Sequence, residues 1–123
     1  MAHILVIDDE ASIRTILRRM LEAEGHTIVE AADGDEGLGH FRAEPPDLVI
    51  TDIFMPNREG LETIMAMRRT EHPVPIIAIS GGGASGEMTS LALANRMGAV
   101  STLQKPFDRE TLLKCVRKAL DAA

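Results

Sequence analysis

Apolar positions along the chain fall into two alternating patterns. Ile4-Leu5-Val6-Ile7, Leu48-Val49-Ile50 and Ile76-Ile77-Ala78-Ile79 are short runs with no polar residue between them, the signature of strands buried on both faces. Thr27–Ala31 and Ala99–Leu103 read as two further strands. Between the strands the period lengthens. Ile13, Ile16, Leu17, Met20 and Leu21 trace the stripe of an amphipathic helix, which Gly25 ends as the residue just past the cap. Asp33-Gly34-Asp35-Glu36 offers an N-cap with an acid three residues on. The helix it opens is weakened by Gly37 and Gly39, each costing about 1 kcal/mol relative to Ala. Pro45-Pro46 breaks the chain before the third strand, and Pro56 marks a turn after it. Leu61, Ile64, Met65 and Arg68 trace a third helix, and a fourth is predicted from about Glu87 to Gly98. Asp108 caps a last one carrying Leu112, Val116 and Leu120.

Strands alternating with helices imply a doubly wound α/β domain, with helices on both faces of a parallel sheet. The expected architecture is five strands in the order 2-1-3-4-5 with five helices. Such sheets place their working groups beyond the carboxyl ends of the strands, beside the point where strand order reverses. Asp8-Asp9 ends the first strand, Thr51-Asp52 the third, Ser80 the fourth and Gln104-Lys105-Pro106 the fifth.

Composition narrows the chemistry. The 123 residues contain 45% hydrophobic residues but no Trp, no Tyr and only three Phe, so the core is aliphatic and the length suits one domain. Single-stranded nucleic acid is usually gripped by stacking on aromatic rings, and a net charge of −6 repels a phosphate backbone. Nucleic acid is therefore not an expected partner. One cysteine, Cys115, excludes an internal disulfide and a cysteine-based zinc cluster. No signal peptide and no bilayer-length apolar run is present, so a soluble, cytoplasmic protein is expected. At the strand ends the acids would repel one another unless a cation joined them. With no His or Cys there, oxygen ligands suit Mg²⁺ or Mn²⁺. An ionised carboxylate can attack phosphorus without a general base. Lys105 and the Ser80 hydroxyl can receive the transferred oxygens. Taken singly these residues read as an N-cap, turn residues and a surface Lys-Pro; four such sites at four strand ends are harder to assign to coincidence.

In this arrangement the sequence resembles the receiver domain of bacterial two-component response regulators. The likeness is carried by Ile4-Leu5-Val6-Ile7-Asp8-Asp9-Glu10, Pro46-Asp47-Leu48-Val49-Ile50-Thr51-Asp52-Ile53-Phe54-Met55-Pro56, Ile76-Ile77-Ala78-Ile79-Ser80-Gly81 and Lys105-Pro106-Phe107. The resemblance implies a flavodoxin-like fold and Asp52 as phosphoacceptor. It also implies Mg²⁺ on Asp9, Asp52 and the Phe54 carbonyl, with Asp8 acting through water. Ser80 takes the place of the switch hydroxyl and Lys105 that of the invariant lysine. The implied donor is phosphohistidine on a histidine kinase or phosphotransfer protein. The chain is then a signalling phosphoprotein rather than an enzyme, acting on a downstream protein through the face of the fourth helix, fifth strand and last helix. Residues 1–123 are expected to form a single, stand-alone receiver domain with no effector domain.

Two positions depart from the family pattern. Thr102 stands where a switching aromatic is usual, and Gly81-Gly82-Gly83-Ala84-Ser85-Gly86 is unusually glycine-rich, which points to loop reorganisation as the carrier of the signal. Phe54 and Gly82 offer no polar side chain to orient a water, so slow loss of phosphate is expected. On the first helix Arg14, Arg18 and Arg19 read as a solvated face, with Arg14 and Ile13 as candidates for meeting the kinase. Cys115 reads as a buried structural thiol. His3, His26, His40 and His72 read as surface or partly buried residues with no catalytic role. Three other functions are weighed. A phosphate sink or relay intermediate would share the site but lack a target of its own. A haloacid-dehalogenase-like phosphatase would want Asp where Glu10 stands. A flavodoxin would want a hydroxyl-rich loop where the acids stand.

Overall fold

A computed structural model describes residues 2–53, 60–69, 74–80, 101–105 and 107–122. The chain runs β1 (His3–Ile7), α1 (Ala11–Glu22), β2 (Thr27–Ala31), α2 (Gly34–Ala43), β3 (Leu48–Asp52), α3 (Gly60–Arg68), β4 (Ile76–Ser80), β5 (Ser101–Gln104) and α4 (Arg109–Ala122). The five strands pair in parallel in the order β2-β1-β3-β4-β5, as the alternation predicts. Four helices lie among the described residues. The helix expected near residues 87–98, the turn at Pro56 and the glycine-rich segment 81–86 fall outside them.

Alternate residues of each strand serve opposite faces, and the core divides accordingly. Ile4, Val6, Ile50, Ile77 and Ile79 meet Leu17 and Leu21 of α1 and Leu112 and Val116 of α4. Leu5, Ile7, Val49, Ile76 and Ala78 meet Leu38 and Phe41 of α2 and Ile64 and Met67 of α3. Fully burying one such aliphatic side chain contributes about 1.5–3 kcal/mol, so the two layers fix the sheet firmly on both sides. No helix among the described residues is long and apolar enough to cross a membrane.

Local signals act as their chemistry demands. Gly25 takes φ 91°, and the bonds Gly25 N to Glu22 O (3.0 Å) and His26 N to Leu21 O (3.2 Å) close α1 in a Schellman pattern. Asp33 accepts from the Glu36 N–H at 2.8 Å, while the Glu36 carboxylate reaches back to the Ala32 N–H at 2.6 Å. Asp108 accepts from the Thr111 N–H at 2.8 Å.

Three expectations need correcting in detail. Ile16 is 44% exposed, because it sits at the margin of the arc that α1 presses on the sheet. On α3, among the described side chains, Thr63, Ile64 and Met67 are buried and Met65 is 39% exposed, so Met67 rather than Met65 belongs to the covered face. Cys115 is only partly buried, at the edge of the α4 layer.

Candidate functional site

Register decides what meets at the carboxyl edge of the sheet. Ile7 pairs with Ala31 on one side and Thr51 on the other, so Asp8, one residue further, comes level with Asp52. Asp52 pairs with Ile79, and Ser80 pairs with Gln104, which carries Lys105 just beyond the same edge. The three elements converge on the lysine: Lys105 Nζ lies 3.1 Å from Asp8 Oδ2, 3.3 Å from Asp52 Oδ2 and 3.5 Å from Glu10 Oε1. Asp8 and Asp52 are buried, with only 1% and 5% of their surface exposed, whereas Asp9 and Glu10 face solvent.

The β1–α1 connection shows why the acids are not merely helix caps. Glu10 occupies the N-cap position of α1 without a side-chain capping bond, and the first turn holds no acid. Asp8 instead folds back: its Oδ1 accepts from the Glu10 N–H at 2.9 Å, a local Asx turn. Its Oδ2 is buried and, among the described residues, has no hydrogen-bond partner; its contact there is the shared ion pair with Lys105 at 3.1 Å. Oxygens of Asp8, Asp9 and Glu10 lie within 4.8 Å of one another. A buried carboxylate oxygen without a hydrogen bond, in a cluster of oxygen donors, fits a hard divalent cation.

The electrostatics express the same tension. Burial drives the Asp8 carboxyl above the ordinary carboxylate range, and the Glu10 N–H and Lys105 only partly offset it. For Lys105, burial alone would favour the neutral amine, but the carboxylates of Asp52 and Asp8 outweigh it and hold the ammonium above its usual value. The two shifts pull against each other across one ion pair. Lys105 keeps its charge because several carboxylates share it; Asp8 is the member whose charge is costly, since one of its oxygens has only that shared partner.

The structure thus brings together Asp8, Asp9, Asp52 and Lys105 as the sequence predicts. Ser80 ends β4 at the same edge, but the expected role of its hydroxyl lies outside the described side chains. Phe54, whose carbonyl is expected as a ligand, lies outside the described residues altogether. Thr102 is half-buried on β5, opposite Ala78.

Sequence reasoning missed Glu10 and the inward contacts of Arg14. Glu10 reads as a cap residue, and nothing in its spacing says that its side chain turns toward Lys105. Arg14, expected on a solvated face, is largely covered: Nη1 donates to the Asp8 carbonyl at 2.7 Å and Nε pairs with Glu30 at 3.1 Å. Ile13, the companion candidate, packs partly buried against the core.

Comparison with known proteins gives a consistent family. The family model described as "Response regulator receiver domain" matches residues 4–117. The chain is 42% identical over 114 residues to the CAI-1 autoinducer sensor kinase/phosphatase CqsS of Vibrio cholerae, covering 93% of this chain and 17% of that protein. It is 41% identical over 118 residues to the probable transcriptional regulator ycf27 of Porphyridium aerugineum, covering 95% of this chain and 47% of that one. The chain therefore spans less than half the length of these curated relatives. Among solved structures, the receiver domain of NtrX from Brucella abortus superposes with a TM-score of 0.90 at 31% identity, covering 98% of this chain and 99% of that one.

Proposed function

We propose, for a chain that belongs to the family of response regulator receiver domains, that Asp52 accepts a phosphoryl group from phosphohistidine on a sensor kinase or phosphotransfer protein. The family is one of two-component signalling proteins, not of ordinary enzymes. The observation that carries the reading is the single ammonium of Lys105 set between Asp8 and Asp52 at 3.1 and 3.3 Å, beside a cluster of further carboxylates.

In the proposed step an Asp52 oxygen forms a bond to phosphorus as the phosphorus–nitrogen bond of the donor breaks. The bonding pair leaves with the imidazole, which takes up a proton from solvent. Asp52 is ionised at neutral pH and needs no base. Lys105 shifts its contact from the Asp52 carboxylate to an oxygen of the arriving phosphoryl group, neutralising charge that the transfer concentrates there. Asp9, Asp52 and the Phe54 carbonyl are the proposed Mg²⁺ ligands, with Asp8 acting through water and Mn²⁺ as a substitute, and Glu10 stands at the rim. When bound, the ion supplies positive charge to the phosphoryl oxygens of a loose transition state. Burial of Asp8 and Asp52 keeps water from screening these contacts.

Ser80 is proposed as the hydroxyl that meets the phosphorylated group, and output is proposed to run by protein contact. The charge of −6 sets this domain against binding DNA itself. Binding of candidate partners with and without phosphate separates a signalling output from a phosphate sink. Incubation with acetyl phosphate and Mg²⁺, followed by intact mass, tests the core claim. Wild type gains one base-labile phosphoryl group and Asp52→Asn gains none; an unchanged wild-type mass overturns the reading. Mass is the natural readout, because the chain has no Trp or Tyr to fluoresce. Phe54→Asn, which adds a water-orienting amide two residues past Asp52, is expected to shorten the lifetime of that adduct several-fold.

A further inference from the structure

Asp8 is fixed at three of its four polar points. Its N–H donates to the Ala31 carbonyl at 3.1 Å, its Oδ1 accepts from the Glu10 N–H at 2.9 Å, and its carbonyl accepts from Arg14 Nη1 at 2.7 Å. Among the described residues, Oδ2, which faces Lys105 at 3.1 Å, is left without a hydrogen bond. The Asp8 carbonyl belongs to the peptide that joins Asp8 to Asp9, so a donor on that oxygen sets the plane from which Asp9 leaves.

The donor is itself held from the sheet. Glu30 lies on β2 opposite Val6 of β1. One of its oxygens pairs with Arg14 Nε at 3.1 Å and the other with Arg18 Nε at 2.6 Å. Arg18 continues to Glu22 at 3.2 Å and to the Ile28 carbonyl at 3.4 Å. A planar guanidinium can meet a carboxylate and a carbonyl at once in fixed geometry, which a lysine cannot.

We infer that Arg14 is a positioning residue for the cation site: through the Asp8 carbonyl it holds the Asp8–Asp9 peptide in the orientation that presents both carboxylates to one ion, and Glu30 holds Arg14. The inference rests on the reading of these acids as a divalent-cation site. Groups that orient metal ligands without touching the metal are typically worth 10–100-fold in affinity.

The sign of the effect makes the claim testable. Arg14 is a positive charge beside a cation site, so Coulomb's law alone has its removal tighten Mg²⁺ binding. Positioning has it weaken binding. Mg²⁺ is titrated into the full chain by calorimetry, with ¹H–¹⁵N spectra recorded before and after. Arg14→Met is expected to raise the dissociation constant about tenfold and to shift the Asp9 and Glu10 amides already in the metal-free protein. Arg14→Lys keeps the charge but loses the fork, and is expected to weaken binding by a similar factor. Arg18→Met leaves the Asp8 carbonyl bond in place and is expected to bind as wild type does. Unchanged or tighter binding by Arg14→Met overturns the inference, as does an equal loss in Arg18→Met. Thermal melts of all variants show whether a loss follows from unfolding; should Arg14→Met not fold, Arg14→Lys decides. If wild type itself takes no Mg²⁺, the premise fails and the inference with it.

Discussion

The two ends of the sheet treat their polar groups in opposite ways. At the amino end, Asp47 accepts from the His3 N–H at 2.8 Å and returns its own N–H to the His3 carbonyl at 2.7 Å. His26 Nδ1 accepts from the Ala2 N–H at 3.1 Å. Each of these groups has a partner of matching kind, and the result is a stitched edge. At the carboxyl end, three carboxylates converge on one ammonium and, among the described residues, a buried oxygen of Asp8 goes without a hydrogen bond. The two arrangements stand at the two ends of one strand, β1, with His3 opening it and Asp8 immediately following it. A shortfall of this kind beside a cluster of oxygen donors is what the proposed cation would complete.

The largest effect expected from breaking the contrast is at Lys105. Lys105→Met removes the cation proposed to face the incoming phosphoryl group, and acetyl-phosphate-driven phosphorylation should slow about 100-fold or more, as when a charge-stabilising donor is lost. The matching change at the other end, Asp47→Ala, removes the carboxylate that accepts from the His3 N–H. It should cost about 1 kcal/mol in denaturant stability and leave the phosphorylation rate alone. Equal loss of phosphorylation in the two variants would erase the distinction between the ends.

Cation binding sharpens it next. Mg²⁺ at about 100 times its dissociation constant should stabilise the fold by about 2.7 kcal/mol through mass action, read as a higher unfolding midpoint. Asp9→Asn should lose most of that gain, while Asp47→Ala should keep it whole. A midpoint insensitive to Mg²⁺ in wild type would mean that the crowded end is completed by something other than a divalent cation.

The sequence was most informative where one-dimensional order becomes geometry directly. In a parallel sheet, the residue after each strand must arrive at the carboxyl edge, so Asp8, Asp52 and Lys105 can be placed together before any coordinate is known. The uninterrupted apolar runs likewise admit little besides buried strands. What could not be read depends on angles and rotamers. Ile16 fits the stripe of α1, yet a stripe wider than the contact leaves its margin in solvent. The short α3 gave too few apolar positions to fix its phase, so Met65 was favoured over Met67. Glu10 and Arg14 are ordinary residues of a helix start by spacing. Their turn toward Lys105 and toward the Asp8 carbonyl follows from the Asx turn that aims the loop.

Two of the three glycines of α2, Gly37 and Gly39, give the smallest effect, and they mark where the stressed end is braced. In sequence they look alike, each a helix-weakening residue. In the structure a Cβ on Gly37 would collide with the Ile7 side chain, while one on Gly39 would meet nothing within 4 Å. Ile7 is fully buried and immediately precedes Asp8, so the bare backbone of Gly37 lets α2 press on the strand just behind the acids. Gly37→Ala should therefore destabilise by about 1–3 kcal/mol through overpacking and also disturb the Asp8 and Asp9 amide resonances. Gly39→Ala should stabilise by about 0.4–1 kcal/mol, because it only restricts the unfolded chain, and should leave those resonances in place. Denaturant unfolding and ¹H–¹⁵N spectra of the two variants check both halves. Opposite signs of stability with a spectral change confined to Gly37→Ala would show that the close approach braces the acidic edge. Two stabilising substitutions would mean that Ile7 yields freely and that the edge is held by its hydrogen bonds alone.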